Sequence, residues 1–445
     1  MANPGQQLST GAVVRGHHSG LTYTVDELLG SGGQGEVYLV REGGQSWALK
    51  WYYPQWMTNE HRRALDRLVA KGAPNNRYLW PLELTGKTGS EPMGYVMPLR
   101  EPRFKGLNDL VAYRIQSSFT ALAIAGRDLA DSFLQLHASG FCYRDISFGN
   151  VFFEPTTGEV LICDNDNVGI DGSDALIRGT PKFMAPEVVC TNSAPNARTD
   201  LYSLSVLLFY MFFRSHPLEG QREQEIRFYD DHVQTELLNL YGVHPVFIFD
   251  PKDESNRPSS EAQANAVAFW RIYPTFFREL FVAAFTKGLR DPNARVLEGV
   301  WRRNLIKLRD LIRYCPSCGA ENFFDPEQPA AQSPACWRCR VSLPAPWRIN
   351  LGQRLSTRVI VLNRDTQLCP YHLGDVANLD FESASAKVVQ HPQRPDRFGI
   401  RNFSRDVWQV RALNGEELEA PPGSTVSMKP GTRINFGRIQ GEIQL

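Results

Sequence analysis

The 445-residue sequence carries no net charge, because 48 Lys and Arg are matched by 48 Asp and Glu. Without a global field, neither nucleic acid nor a lipid surface is recruited by charge alone, and such a partner would need a local patch. Long apolar runs are also missing. The longest, residues 204–213, is too short and too interrupted to cross a bilayer. Residues 1–10 are polar with no apolar core, so no signal peptide is expected there. Cysteine is scarce. Four of the 8 fall in two Cys-x-x-Cys pairs and the rest stand singly. That usage excludes a disulfide framework and points to thiols in a reducing, cytoplasmic compartment. What remains is an ordinary globular composition, 42% hydrophobic and 22% charged, long enough for about three domains at ~150 residues each.

The chemistry-bearing residues concentrate in Phe141-Cys142-Tyr143-Arg144-Asp145-Ile146-Ser147-Phe148-Gly149-Asn150-Val151. An apolar helical stretch, residues 118–136, leads into this run, and Gly140 reads as its stop. Asp164 follows the apolar Val160-Leu161-Ile162-Cys163. One Asp to orient a hydroxyl, with an Asn and a second Asp to hold metal ions, suits phosphoryl transfer. Its transition state spreads charge over phosphate oxygens, so catalysis is mostly positioning and electrostatics.

Upstream, Gly30-Ser31-Gly32-Gly33-Gln34-Gly35 separates two β-rich stretches, residues 21–25 and 36–40. In a dinucleotide fold this glycine spacing would open a helix. Here it opens a strand, and reads either as a hairpin lid whose backbone approaches phosphates or as a plain surface hairpin. The next strand ends Trp47-Ala48-Leu49-Lys50, and Gly94-Tyr95-Val96-Met97-Pro98-Leu99 reads as another. Thr58 can cap a helix from Asn59, with Glu60 in its first turn and Ala64, Leu65 and Leu68 on one face.

Together with Gly179-Thr180-Pro181-Lys182-Phe183-Met184-Ala185-Pro186-Glu187, Asp200 and Arg295, these motifs resemble eukaryotic-type Ser/Thr protein kinases over residues 20–312. The resemblance implies an α+β, bilobal fold: a β-rich N-lobe at about residues 20–97 and a helical C-lobe at about 98–312. It also implies ATP and magnesium. Gly30, Ser31, Gly32, Gly33 and Gly35 would lie over the phosphates, backbone groups of Pro98 and Leu99 would meet the adenine, and Val37, Ala48 and Met97 would belong to the same ATP site. Lys50 would grip the phosphates, paired with Glu60 or failing that Asp66. Asp145 would orient the substrate hydroxyl, and Asn150 and Asp164 would hold Mg2+. Arg144 would meet a phosphate or acid of the activation segment, where Ser173 and Thr180 could be phosphorylated, and Arg295 would pair with Glu187.

Three positions depart from the family pattern. Asp164-Asn165-Asp166 stands for Asp-Phe-Gly, leaving Asp166 to join the metal shell or be solvated. Ser147 replaces a lysine, and Tyr143 replaces a histidine. The alternative reading is a nucleotide-binding pseudokinase scaffold. Further on, residues 266–285 read as one core helix, residues 239–258 as an extended loop, and His216, His232 and His244 as structural histidines.

Residues 301–313 read as a basic amphipathic helix, with Leu305, Leu308, Leu311 and Ile312 opposite Arg302, Arg303, Lys307 and Arg309. Then come Cys315-Pro316-Ser317-Cys318 and, seventeen residues on, Cys336-Trp337-Arg338-Cys339. Four thiolates so spaced can surround one tetrahedral ion, and residues 313–342 resemble a zinc ribbon with structural Zn2+. The helix could touch nucleic acid, whereas Phe323, Phe324 and Trp337 could anchor a protein. Short β-rich segments at 357–362, 386–389, 407–412, 425–428 and 433–436, with a tight turn at Asn414-Gly415, make residues 350–445 a small all-β sandwich. Its last hairpin resembles forkhead-associated domains. The combination resembles bacterial stress-associated kinases. It implies a protein substrate and, as partners, a metal-dependent phosphatase and a von Willebrand A-type protein.

Overall fold

The computed structural model describes residues 7–86, 92–172, 178–191, 193–226, 233–328, 334–352 and 357–445. Ser173 and His232 lie outside them. The chain divides into two units, Met1–Trp270 with Glu279–Arg302, and Arg271–Arg278 with Arg303–Leu445.

The first unit begins with a six-stranded antiparallel sheet, β1 (Val13–Arg15), β2 (Thr22–Ser31), β3 (Gly35–Glu42), β4 (Gln45–Tyr52), β5 (Glu83–Thr85) and β6 (Gly94–Met97), in the order β1-β2-β3-β4-β6-β5. Alternation decides its faces: Tyr38, Val40 and Leu49 are buried on one side with Val25 and Val96. Register places the expected nucleotide residues in two neighbouring rows, since Val37 pairs with Lys50 and Lys50 with Tyr95, and two residues away Ala48 pairs with Met97. The β2–β3 turn carries the glycines. At Gly35 a Cβ would fall 2.1 Å from the carbonyl oxygen of Trp51, so only glycine lets β3 approach β4 there.

Helix α1 (Asn59–Lys71) starts where Thr58 accepts a hydrogen bond from the His61 N–H, and it buries His61, Arg62, Leu65 and Leu68. The rest of the unit is mainly helical. Helix α2 (Phe119–Ala138) is capped by Ser118 and followed by Gly140 at φ +82°, the left-handed stop that glycine allows. The helix Ala197–Phe213 begins at an Asn196–Thr199 capping box and is buried on all faces from Thr199 to Phe213. Phe209 and Phe213 pack on Phe281, and Phe209 also on Phe247 and Phe285. The single helix expected over 266–285 is two, Ala264–Ile272 and Thr275–Phe285. Pro274 between them cannot supply the N–H that continuity needs. His216 is a satisfied core histidine, with Nε2 2.9 Å from the Lys182 carbonyl and Nδ1 accepting the Leu218 N–H at 3.1 Å.

In the second unit the helix expected to reach Arg313 stops at Asp310, and Ile312–Tyr314 is a strand paired with Glu321–Phe323. The Cys315 N–H bonds the Ala320 carbonyl and closes this hairpin, so its ladder takes the backbone groups that a longer helix would use. Three of its basic side chains are engaged, Arg302 with Asp131 at 2.7 Å within the first unit, Lys307 with Glu327 at 3.4 Å and over the Phe276 ring, and Arg309 over Phe381, while Arg303 is exposed.

Beyond residue 347 two antiparallel sheets appear. One has six strands in the order Arg358–Val361, Arg348–Leu351, Gln440–Gln444, Arg433–Asn435, Trp408–Arg411, Glu417–Ala420. The other runs Gln367–Leu368, Ala386–His391, Arg394–Asn402, Thr425–Ser427. Ile349, Trp408 and Ile443 from the first share a core with Leu368, Val388 and Ile400 from the second, which makes the pair a sandwich. Burying a side chain such as Ile443 fully is worth roughly 1.5–3 kcal/mol. The turn at Asn414-Gly415 is closed by Ala412 and Glu416, with Gly415 at φ +85°.

Candidate active site

Strand alternation brings Lys50 and Tyr52 to one face of β4, and register sets Tyr95 of β6 opposite Lys50. Lys50 Nζ reaches Asp166 Oδ2 at 2.8 Å and Oδ1 at 3.1 Å, Gln34 Oε1 at 2.9 Å and Asp164 Oδ1 at 3.5 Å. This corrects the expected pairing. Glu60 is exposed on α1, Asp66 faces His18 at 3.7 Å, and the buried partner of Lys50 is Asp166. Nor is Asp166 solvated or open to a metal. Its side chain is fully buried and accepts the Tyr52 hydroxyl at 2.5 Å and the Tyr95 hydroxyl at 3.4 Å. Burial would raise the Asp166 carboxyl, but the Lys50 charge and the hydrogen bonds from Lys50 and Tyr52 outweigh it and hold the group below its ordinary value. Burial likewise acts to lower Lys50, and Asp166 and Asp164 more than reverse it.

Asn165 takes the aromatic's position by another means. Its Nδ2 donates to the carbonyls of Leu79 and Ile162, both at 2.9 Å, and ties the segment to the core. Asp164 sits at φ 49°, where an L residue is uncommon, and that turn leaves its carboxylate 41% exposed toward the cleft. Asn150 is held near it through the Cys163 N–H to Asn150 carbonyl bond of 2.8 Å.

The Asp145 carboxylate is engaged on both oxygens. Asp145 Oδ1 accepts the Thr180 hydroxyl at 2.7 Å and Oδ2 accepts Asn150 Nδ2 at 3.1 Å. The loop itself is pinned by Asp200, which accepts the backbone N–H groups of Tyr143 at 2.5 Å and Arg144 at 2.9 Å. Tyr143, where the family has histidine, sends its hydroxyl to the Cys163 carbonyl. The Arg144 guanidinium lies against Gly169, where a Cβ would be 2.3 Å from its Cζ, and donates to the Ile170 carbonyl at 3.2 Å. Arg295 forks onto Glu187 at 2.8 and 2.7 Å.

His137, at the end of α2, bridges Asp200 at 3.0 Å through Nε2 and Glu298 through Nδ1. Both partners accept, so both ring nitrogens donate and the imidazole is cationic. Burial would lower it, but the two carboxylates raise it to about 9. A histidine raised in the folded state adds stability that is complete below its unfolded value of about 6.5 and disappears as pH rises through about 9. We expect His137→Gln to remove on the order of 3 kcal/mol at pH 6 and little at pH 9.5. Denaturant titrations at the two pH values check this, and equal losses at both would contradict the charged bridge.

The residues expected to hold a nucleotide lie beside these groups. A Cβ at Gly30, Gly32 or Gly33 would meet no protein atom within 4 Å, so the protein's own packing does not demand these glycines and the space over them is open. Ala48 and Met97 are buried side by side, with Val37 and Leu99 half-buried. Asp164 and Asn150 offer the hard oxygen donors that magnesium takes.

In the second unit Cys315, Cys318, Cys336 and Cys339 bring their sulfurs within 4.8 Å of one another, with Cys315–Cys339 at 3.5 Å and Cys318–Cys336 at 3.8 Å. A tetrahedral ion with bonds of 2.3 Å needs sulfurs about 3.8 Å apart, so the four fit zinc. Asn322 Nδ2 lies 3.5 Å from the Cys336 sulfur and helps to orient it.

Reading the sequence by motif located Lys50, Asp145, Asn150 and Asp164, which the fold brings around one cleft. It missed Gln34, Tyr52 and Tyr95. For the two tyrosines the signal was strand parity, which becomes usable only when the register of β4 against β6 is known, whereas Gln34 lies in the β2–β3 turn, where parity does not apply.

Comparison with known proteins agrees with this geometry. Residues 93–270 match the protein kinase domain family. The chain is 27% identical over 218 residues to protein kinase YegI of Escherichia coli O157:H7, covering 45% of this chain and 33% of the relative. It is 28% identical over 240 residues to the DNA damage-responsive serine/threonine-protein kinase RqkA of Deinococcus radiodurans, covering 50% of this chain and 34% of the relative. Serine/threonine-protein kinase N2 of Danio rerio is 33% identical over 106 residues, 23% of this chain and 10% of the relative. The chain thus spans about a third of the length of the two bacterial relatives. From the match and the cleft together, the chain carries a protein kinase domain and is similar to bacterial protein kinases.

Proposed function

We propose that this protein is a Ser/Thr protein kinase that transfers the γ-phosphate of ATP to a protein hydroxyl. The observation that carries the reading is the convergence of Lys50, Asp145, Asn150 and Asp164 on one cleft, with the Thr180 hydroxyl already donating to Asp145. Asp145 would accept a hydrogen bond, and then the proton, from the incoming hydroxyl and aim its oxygen at the phosphate. Lys50 would hold phosphate oxygens, and the open glycines would let backbone close over them. Asn150 and Asp164 would hold magnesium, which neutralises charge on the transferring phosphate when bound. Ser147 supplies no charge there, so Lys50 and the metal site carry the neutralisation.

The finer reading extends to the second unit. The four cysteines are a structural zinc site, which suits a reducing cytoplasm, and the sandwich is a forkhead-associated-like scaffold. A metal-dependent phosphatase and a von Willebrand A-type protein are the partners that the architecture suggests. Metal analysis of the purified chain is expected to return one zinc, lost in Cys336→Ser. Less than a tenth of an equivalent in the unaltered protein would remove the site.

The test of the main reading is incubation with labelled ATP and magnesium, with Asp164→Ala alongside, followed by mapping of the label. Label on Ser or Thr that vanishes in Asp164→Ala is the expected result. No label, with ATP still raising the melting temperature, would replace the enzyme by a nucleotide-binding scaffold.

A further inference from the structure

Lys50 carries three N–H donors and spends them on protein atoms: the two oxygens of Asp166, Gln34 and, at longer range, Asp164. These contacts are unequal. Gln34 is half-buried at the tip of the glycine turn, and Asp164 is 41% exposed, so both can give way to phosphate oxygens or a metal ion. Asp166 cannot. Its side chain has no exposed surface, Lys50 has 5%, and the hydroxyls of Tyr52 and Tyr95 occupy the carboxylate's other acceptor positions. A buried ion pair persists when its geometry is good and its remaining polar atoms are satisfied, and this one meets both conditions. Helix α1 contributes no carboxylate here. Glu60 is exposed, and what α1 offers is the edge of His61 against the Tyr52 ring, 4.6 Å between centroids.

We propose that Asp166 is the positioning residue that holds Lys50 for the nucleotide phosphates, in place of an acid from α1. This deepens the kinase reading and rests on it for the role of Lys50. A structural consequence follows. Asp164 and Asp166 lie on one turn, tied down by Asn165 to Leu79 and Ile162. The metal ligand and the counter-charge of the lysine therefore move as one body, and a displacement of residues 164–166 would disable both together.

The test compares ADP and adenosine binding to the full chain, by calorimetry without added magnesium, so that the metal does not mask the lysine. Asp166→Asn removes a negative charge beside the phosphates. By long-range electrostatics alone it should tighten ADP. If Asp166 positions Lys50, the opposite happens: ADP weakens about tenfold or more, a change of one decade being about 1.4 kcal/mol, while adenosine stays within about twofold. Glu60→Gln leaves both ligands within about twofold. In a Lys50→Met background Asp166→Asn no longer weakens ADP, because the two residues act through one contact. The proposal is overturned if Glu60→Gln weakens ADP, if ADP tightens in Asp166→Asn, or if adenosine weakens as much as ADP. Should Asp166→Asn melt below the working temperature, Tyr52→Phe replaces it. A selective loss of ADP affinity there supports the proposal, and unchanged affinity overturns it. None of these readouts needs phosphate transfer, so an inactive wild type would contradict the kinase reading and leave this result standing.

Discussion

Asp145→Asn is expected to cut phosphate transfer by a factor of ~10²–10⁴, the range that one positioned acid-base group contributes. Melting temperature and zinc content should stay near those of the unaltered chain. The separation follows from what the carboxylate does. Asp145 accepts from Thr180 on one oxygen and from Asn150 on the other. Asparagine keeps the shape and one acceptor, and its amide must face either the Thr180 hydroxyl, which can accept, or the Asn150 amide, which cannot. The stable rotamer therefore keeps the Asn150 contact, and the structural cost is about one hydrogen bond, roughly 1 kcal/mol. What disappears is the negative charge that orients a hydroxyl and receives its proton. Initial rates with any accepted substrate, beside a melting curve, check both halves. Full activity in Asp145→Asn would sink the assigned role.

The second large effect concerns stability. Glu187→Ala is expected to cost about 3–5 kcal/mol, the typical penalty for stranding one member of a buried pair. Arg295 is 2% exposed and forks onto Glu187, while its remaining donors reach the carbonyls of Gly288 at 3.1 Å and Arg198 at 2.8 Å. Those carbonyls would still hold the guanidinium, but not neutralise it. The converse change, Arg295→Met, should cost less in charge terms, because Glu187 is 31% exposed and water can reach it. Chemical denaturation of the two variants checks the order. Equal, small losses would mean that the pair is not the tie between residues 187 and 295 that its geometry describes.

Local signals made much of this molecule legible before any coordinates. Thr58 and Ser118 cap the helices that follow them, and Gly140 stops one. Those are interactions over three or four residues, which sequence spacing encodes directly. The strand Arg394–Asn402 gave no such signal. It carries Pro395 and exposed charges along much of its length, so alternation is blurred, and only pairing with Ala386–His391 and Thr425–Ser427 defines it. The end of the helix at Asp310 was equally hidden, because the competing hairpin depends on Glu321–Phe323 downstream.

The sequence by itself marked the candidate groups: the glycine turn, Lys50, Asp145, Asn150 and Asp164 in the first unit, and separately the four cysteines in the second, all announce themselves by residue type and interval. Tertiary structure alone decided which carboxylate serves Lys50. Sequence proximity favoured Glu60, ten residues away, yet the partner is Asp166, 116 residues distant. The reason is solvation. An exposed acid on α1 stays hydrated and gains little from a lysine, whereas a carboxylate sealed beneath Tyr52 and Tyr95 can remain ionised only with a cation against it. Burial is a property of the assembled sheet and loop, and no interval along the chain records it.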